Sequence, residues 1–261
     1  MNYRILLLFL VISFVACSKA NDEGILAAFD NNLNYDAKLK VNIASIYKSN
    51  PLMRIKINDQ IVSSSITART PYPGGGYNTN GNSLGSYLSV PPGKVKVSIM
   101  VPFISDSLKR NQDSILLYSA EVNLTQGKYY SLHISDTAAQ TKSVLFEESL
   151  VVPNDTLPYF KFVNLMPNVP AIDLYFGTTV VAQNIKYLES SSEFTVDINS
   201  TSTAWSIRPA GSLPTATAIA TYTSASTLTR NRKYTAFAMG YSGLAGATEV
   251  RRPFVAFYLV K

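Results

Sequence analysis

The sequence predicts an all-β protein: two tandem antiparallel β-sandwich domains that follow a signal peptide and a tether. Three observations carry this. Tyr and Phe are abundant, with 16 and 12 residues, while charged residues make up only 15% of the chain. That balance fits half-buried pleated surfaces and argues against disorder. Short apolar runs are separated by Gly, Pro, Asn and Asp clusters roughly every ten residues, the spacing of sandwich strands and turns. One opening also recurs. Leu39–Asn58 (LKVNIASIYKSNPLMRIKIN) and Phe160–Gly177 (FKFVNLMPNVPAIDLYFG) each read Val-Asn, a proline-marked turn, then an alternating apolar strand. A chain of 261 residues holds two such copies, each long enough to bury its own core without metal or disulfide.

Residues 1–16 come first. Arg4 precedes the apolar run Ile5–Val15, and small Ala16 precedes Cys17. The run is too short to cross a bilayer and reads as the core of a signal peptide. Phe14-Val15-Ala16-Cys17 resembles a bacterial lipobox, with Phe14 in place of the usual Leu. The resemblance implies that Cys17 becomes the mature N-terminus and carries acyl chains, which give stable membrane anchoring where one chain gives only reversible binding. Cys17 is the single cysteine, so no disulfide framework and no cysteine-clustered metal site exist. Residues 17–37 then form a polar tether. Its Lys19 followed by Asp22 and Glu23 resembles the surface-export signal of Bacteroidetes lipoproteins.

The first domain is expected over residues 38–152. Lys40–Ile46 and Met53–Ile57 alternate, and Asn58-Asp59 turns the chain into Gln60-Ile61-Val62. Thr70–Ser86 (TPYPGGGYNTNGNSLGS) must be loop. Long loops with aromatics are often functional, which makes Tyr72 and Tyr77 candidates for stacking on a ligand; the alternative is a mobile solvent loop. Its glycines make no phosphate loop, since no Gly-Lys-Ser/Thr follows and no helix begins. Pro91-Pro92-Gly93 and Gln126-Gly127 mark hairpin turns, Ser105–Ser114 reads as polar loop, and Ser143–Val152 closes the domain.

A proline-bounded linker, residues 153–158, is expected to hold the two domains at a semi-rigid angle. The second domain, 159–261, repeats the order of the first. Ala171–Phe176 matches Met53–Ile57, Glu193–Val196 matches Ser86–Val90, and Trp205–Arg208 matches Lys96–Ile99. Arg232–Thr235 matches Gly127–Tyr130, and Phe254–Val260 matches Val144–Leu150. Only the short stretch Tyr187–Glu193 stands where the first copy has its glycine-rich loop. Trp205, on a strand, is expected in the core.

These motifs together resemble the domain of unknown function catalogued as 4397 (DUF4397). Its members are secreted or lipid-anchored bacterial proteins with immunoglobulin-like β-domains, often in tandem. The resemblance implies the fold and the envelope address but carries no catalytic residues, because the shared motifs are structural.

The search for chemistry gives little. His133, the only histidine, sits in the strand-like run Tyr130–Ile134, and no Gly-x-Ser-x-Gly elbow accompanies it. It reads as a hydrogen-bonded strand residue. No metal, cofactor or enzyme activity is expected. The excess positive charge, +6, is dispersed rather than gathered on one face, so nucleic acid is not an expected partner. One pattern recurs above chance: Asp followed by Ser or Thr and an apolar residue, at Ser107, Ser114, Thr137 and Thr156. It resembles an O-glycosylation signal of Bacteroidetes extracytoplasmic proteins; Asp-Ser and Asp-Thr also start turns on their own. The expectation is therefore an outer-membrane lipoprotein, surface-facing or periplasmic, held by acyl chains on Cys17. It acts as a non-catalytic binding module for a glycan or envelope protein, or alternatively as a structural spacer or assembly subunit.

Overall fold

The computed structural model describes residues 35–79, 81–102, 113–154, 156–223 and 225–261. The leader, Cys17, Ser107 and all but the last residues of the tether lie outside them. Eight strands form the first sandwich: β1 (Ala37–Ile43), β2 (Arg54–Ile57), β3 (Gln60–Ile61), β4 (Leu88–Val90), β5 (Gly93–Pro102), β6 (Asp113–Leu124), β7 (Tyr129–Ser135) and β8 (Lys142–Glu148). Eight more form the second: β9 (Pro158–Asn164), β10 (Ala171–Phe176), β11 (Thr179–Lys186), β12 (Phe194–Thr195), β13 (Ala204–Pro209), β14 (Ala220–Thr223), β15 (Arg232–Met239) and β16 (Phe254–Leu259).

The sheets repeat strand for strand. Orders β4-β1-β7-β8 and β3-β2-β5-β6 in the first sandwich become β12-β9-β15-β16 and β11-β10-β13-β14 in the second. Each pair of strands matched in the sequence occupies the same place in its own copy. The all-β class and the tandem sandwiches are thus present, with two differences of detail. Pairing is antiparallel except for one parallel pair per copy, β1 with β7 and β9 with β15. Immunoglobulin domains also group strands one, two, five and four in a sheet; here strand one pairs with four and seven instead. The expected loop Ser105–Ser114 ends earlier than its polar residues indicate, because β6 already begins at Asp113.

Alternation explains the outer sheets. In β2, Ile55 and Ile57 are buried while Arg54 and Lys56 face outward. The middle strands differ: β1 and β15 are buried along nearly their whole length. Leu39, Val41 and Ile43 enter the first core, and Tyr234, Ala236 and Ala238 enter the second. The opposite face of β15 and β16, with Phe237, Met239, Ala256 and Tyr258, joins the first core cluster. The inner sheets of the two sandwiches therefore pack on each other, giving four layers. The relation between the copies is fixed by this seam, not by the proline-bounded linker. Within the second core Trp205 lies 4.8 Å from Phe160, 4.7 Å from Phe176 and 5.1 Å from Phe257, ring to ring, and its indole N–H donates to Thr227 Oγ1.

Both inner sheets run the same way. Ser135 Oγ, at the end of β7, donates to Leu165 O just past the end of β9. Asp36 O, before the start of β1, accepts from Gly127 N before β7. The tether thus leaves at the strand starts. The turns after β1, β7, β9 and β15 lie at the opposite, distal end, about 20 Å away at ~3.3 Å per residue.

Candidate functional site

The seam is unusually polar for a sheet-to-sheet contact. Alternate residues of β1 and β7 turn Lys40, Asn42, Ser131, His133 and Ser135 toward the second sandwich, and all are fully buried. Such groups persist only where they find partners. Asn42 Nδ2 lies 3.1 Å from His133 Nδ1, and His133 Nε2 lies 3.2 Å from Tyr258 Oη. An amide nitrogen only donates, so Nδ1 accepts and Nε2–H donates to the tyrosine. Tyr258 Oη–H in turn points to Glu148 Oε1 at 3.5 Å. Burial, reinforced by the charge on Lys161, holds His133 down at about 3, so the imidazole is neutral. Glu148 also accepts from Ser131 Oγ and pairs with Lys161 Nζ at 2.6 Å. The chain Asn42–His133–Tyr258–Glu148 leaves the hydroxyl beside the imidazole, Tyr258 Oη, directed at Glu148, and leaves Asn42 Oδ1 buried without a partner among the described residues. It is a bolt between the layers.

The glycine-rich loop runs along this seam. Tyr72 exchanges both backbone hydrogen bonds with Val41 of β1, and its hydroxyl donates to Val62 O at 2.6 Å. Tyr77 pairs in the same way with Phe257 of β16, and its ring lies 6.1 Å from that of Tyr234. Asn78 Nδ2 donates to Val255 O, and Leu259 N donates to Ser83 Oγ. Lys40 Nζ donates to Pro73 O at 2.7 Å and Leu84 O at 3.1 Å, and it lies over the rings of Tyr87 and Tyr258. Burial lowers the Lys40 ammonium to about 8, with the Glu148 charge opposing. Tyr72 and Tyr77, expected as a ligand platform, are both half-buried and engaged in strand-edge pairing. Both rings pack against the cores, and the loop stitches β1 of one copy to β16 of the other. The length of the insertion is what such a bridge requires.

Gly76 is the tightest point of the clasp, since a Cβ there would overlap Phe257 O. Gly76→Ala is expected to cost about 1–3 kcal/mol through forced displacement of the loop. The measurement is the urea midpoint together with the rate of proteolytic cleavage within 70–86. An unchanged midpoint and an unchanged cleavage rate would show that the loop docks elsewhere.

At the distal end the two copies meet again. Tyr241 Oη donates to Asp136 Oδ1 at 2.8 Å, and Thr137 N donates to the same oxygen. Burial, with Asp136 adjacent, pushes Tyr241 up to about 12. Ala138 N donates to Tyr47 Oη. Arg69 and Arg252 both stand over the ring of Phe254, at 4.3 Å and 5.2 Å from its centroid. Neighbouring Arg251 is engaged by Glu249, with Nε–Oε1 at 3.0 Å and Nη2–Oε2 at 2.9 Å.

Of the candidate glycosylation residues, Thr137 is half-buried in this distal turn, its Oγ1 3.4 Å from Tyr241 Oη. Thr156 is exposed in the linker and bonds Asn154 Oδ1. Ser114 lies in β6, with its side chain outside the described residues. Ser107 lies outside them altogether. Of the two whose side chains are described, Thr137 lies in the distal turn and Thr156 just before the start of β9. Sequence reasoning missed Lys40, Glu148 and the Arg69–Arg252 pair. The first sits in an alternating strand that reads as half-wet, and the others are brought together only by the packing of the two copies. It also missed Asp173 of the "IDLYF" strand, a buried carboxylate that accepts from Asn184 N at 2.6 Å and Gly211 N at 2.8 Å. Among the described residues no group of three or more His, Cys, Asp or Glu could hold a metal ion, and no helix is long and apolar enough to cross a membrane.

The model of a domain of unknown function (DUF4397) matches residues 76–175, the family that the repeated motifs resemble. The match begins inside the clasp loop and ends in β10, so it spans the junction of the two copies. No curated protein matches the chain. Among solved structures the chain is similar to a candidate cell adhesion protein from Bacteroides uniformis. The identity is 9%, the match covers 86% of this chain and 96% of that one, and the TM-score is 0.20. A likeness at that level bears on neither fold nor function.

Proposed function

We propose that this protein is a non-catalytic, lipid-anchored cell-envelope module that holds a binding face away from the membrane at the cell surface. The observation that carries the reading is the placement of the two ends. The tether leaves the strand starts at Asp36, and the interlocked turns of both copies lie at the opposite end of one fused body. Acylation of Cys17 fixes the near end, and the buried seam keeps the far end at a set distance and orientation. The engagement of Tyr72 and Tyr77 in the clasp supports the spacer reading. The presented face is then the distal one.

Fractionation and protease shaving of intact cells test this. Wild type is expected in the outer membrane and digested on whole cells, while Cys17→Ala is released to the soluble fraction. Digestion only after the outer membrane is broken would place the module on the periplasmic side and favour the spacer. An unchanged membrane association of Cys17→Ala would remove the lipid anchor.

A further inference from the structure

We propose that Arg69 and Arg252, one from each copy, clamp an oxyanion beside Phe254 at the distal junction, the group being a sulfate or carboxylate of an acidic polysaccharide. Arg69 follows the first sandwich's outer strands, and its backbone N–H is tied to Ile43 O at the top of β1. Arg252 precedes β16 in the second. Two guanidinium groups therefore share one aromatic ring although they repel each other. Partial burial, and after it the repulsion from Arg252, lower Arg69 from its ordinary value.

Neither cation has a carboxylate partner among the described residues. Arg69 Nε is buried and has no hydrogen-bond partner there. Arg252 Nη1 reaches only two carbonyls, Gly246 O at 3.5 Å and Ala247 O at 3.3 Å, which are long for hydrogen bonds. Glu249 is held by Arg251 on three hydrogen bonds, and Asp136 at the same end accepts from Tyr241 and Thr137. Arginine repulsion of this kind, with donors left over, is relieved by an anion between the groups. The planar fork of each guanidinium matches the paired oxygens of a carboxylate or sulfate. Lys48, close enough to act on Glu249, adds to the positive field that would draw a polyanion in. The assignment rests on the reading of the distal end as the presented face.

The experiment uses the full-length protein solubilised in detergent. Binding of a heparin fragment, of polygalacturonate, of inorganic sulfate and of neutral dextran is measured by calorimetry at low and physiological salt. The expected result is binding of at least one acidic polymer and none of dextran. Arg252→Gln and Arg69→Gln are expected to weaken that binding at least tenfold, while Lys128→Gln, which removes the same formal charge from a cation paired with Glu147 at the near end, changes it less than threefold. Melting curves establish that each variant is folded. Binding of inorganic sulfate alone, lost in the same two variants, would assign the clamp to a free anion and overturn the polysaccharide. Equal losses in all three variants, or no loss in any, would overturn the clamp. Because this is read on purified protein, it fails or succeeds separately from the cell-shaving experiment.

Discussion

Glu148→Ala is expected to destabilise the protein by about 3–5 kcal/mol, the largest effect of any single charge removal in the seam. Glu148 is 8% exposed and its partner Lys161 is almost as enclosed. Removing the carboxylate strands the Lys161 ammonium against the ring of Phe146, 5.2 Å away, and withdraws the acceptor of Ser131 and Tyr258. It also removes the negative charge that acts on buried Lys40. Water cannot easily replace the lost partner between two packed sheets, so the desolvation cost of the cation falls directly on the folded state. Glu148→Gln, which keeps an acceptor without the charge, is expected to fall between. The double variant Glu148→Met with Lys161→Met is expected to recover most of the loss, since a buried ion pair exchanged whole for apolar groups is often neutral. Urea denaturation measures all three. A single transition is also expected, because the seam couples the copies. A loss below about 1 kcal/mol for Glu148→Ala, or two separated transitions, would mean that the sandwiches unfold independently and the seam contributes little.

Much of the fold was legible because strands and turns are local. Pro91-Pro92-Gly93, Gln126-Gly127 and the alternation of Arg54–Ile57 each announce an element without help from distant residues. The duplication was legible for the same reason, since both copies keep the order of these signals. The recurring Val-Asn has distinct reasons in the two copies. Asn164 Oδ1 accepts from Met166 N and its Nδ2 donates to Ile185 O, closing the strand end, whereas Asn42 orients His133. What was not legible is the contact between copies. Lys40 in LKVNI looks like the wet face of an edge strand, and only the docking of β16 and the clasp loop makes it a buried donor. The pairing of Tyr72 and Tyr77 with strand edges was hidden in the same way. Aromatics among glycines read as a mobile platform until the edges of β1 and β16 are seen to lack other partners there. Arg69 and Arg252 are 183 positions apart in the numbering of the chain, and no periodicity links them.

His133 gives the second large effect, in acid. The unfolded chain titrates its imidazole near 6.5, and the folded protein holds it at about 3. Below pH 6.5 the unfolded state therefore binds a proton that the folded state refuses, and stability falls with decreasing pH until about pH 3, below which this contribution is exhausted. Each pH unit inside the window costs about 1.4 kcal/mol, so the whole interval costs about 4–5 kcal/mol. The folded state cannot accept the proton cheaply. Nδ1 already accepts from Asn42, Nε2–H is directed at Tyr258, and Lys161 adds positive charge nearby. His133→Gln removes the titrating group and keeps a polar side chain in the seam. Its stability at pH 7.5 is expected to be lower than wild type, but the difference should shrink steadily as the pH falls from 6.5 to 4, because only wild type carries the acid penalty. Guanidinium midpoints across that range measure it. Parallel acid limbs for the two proteins would show that the imidazole is protonated without cost, which requires either a hydrated seam or a carboxylate partner closer than Glu148.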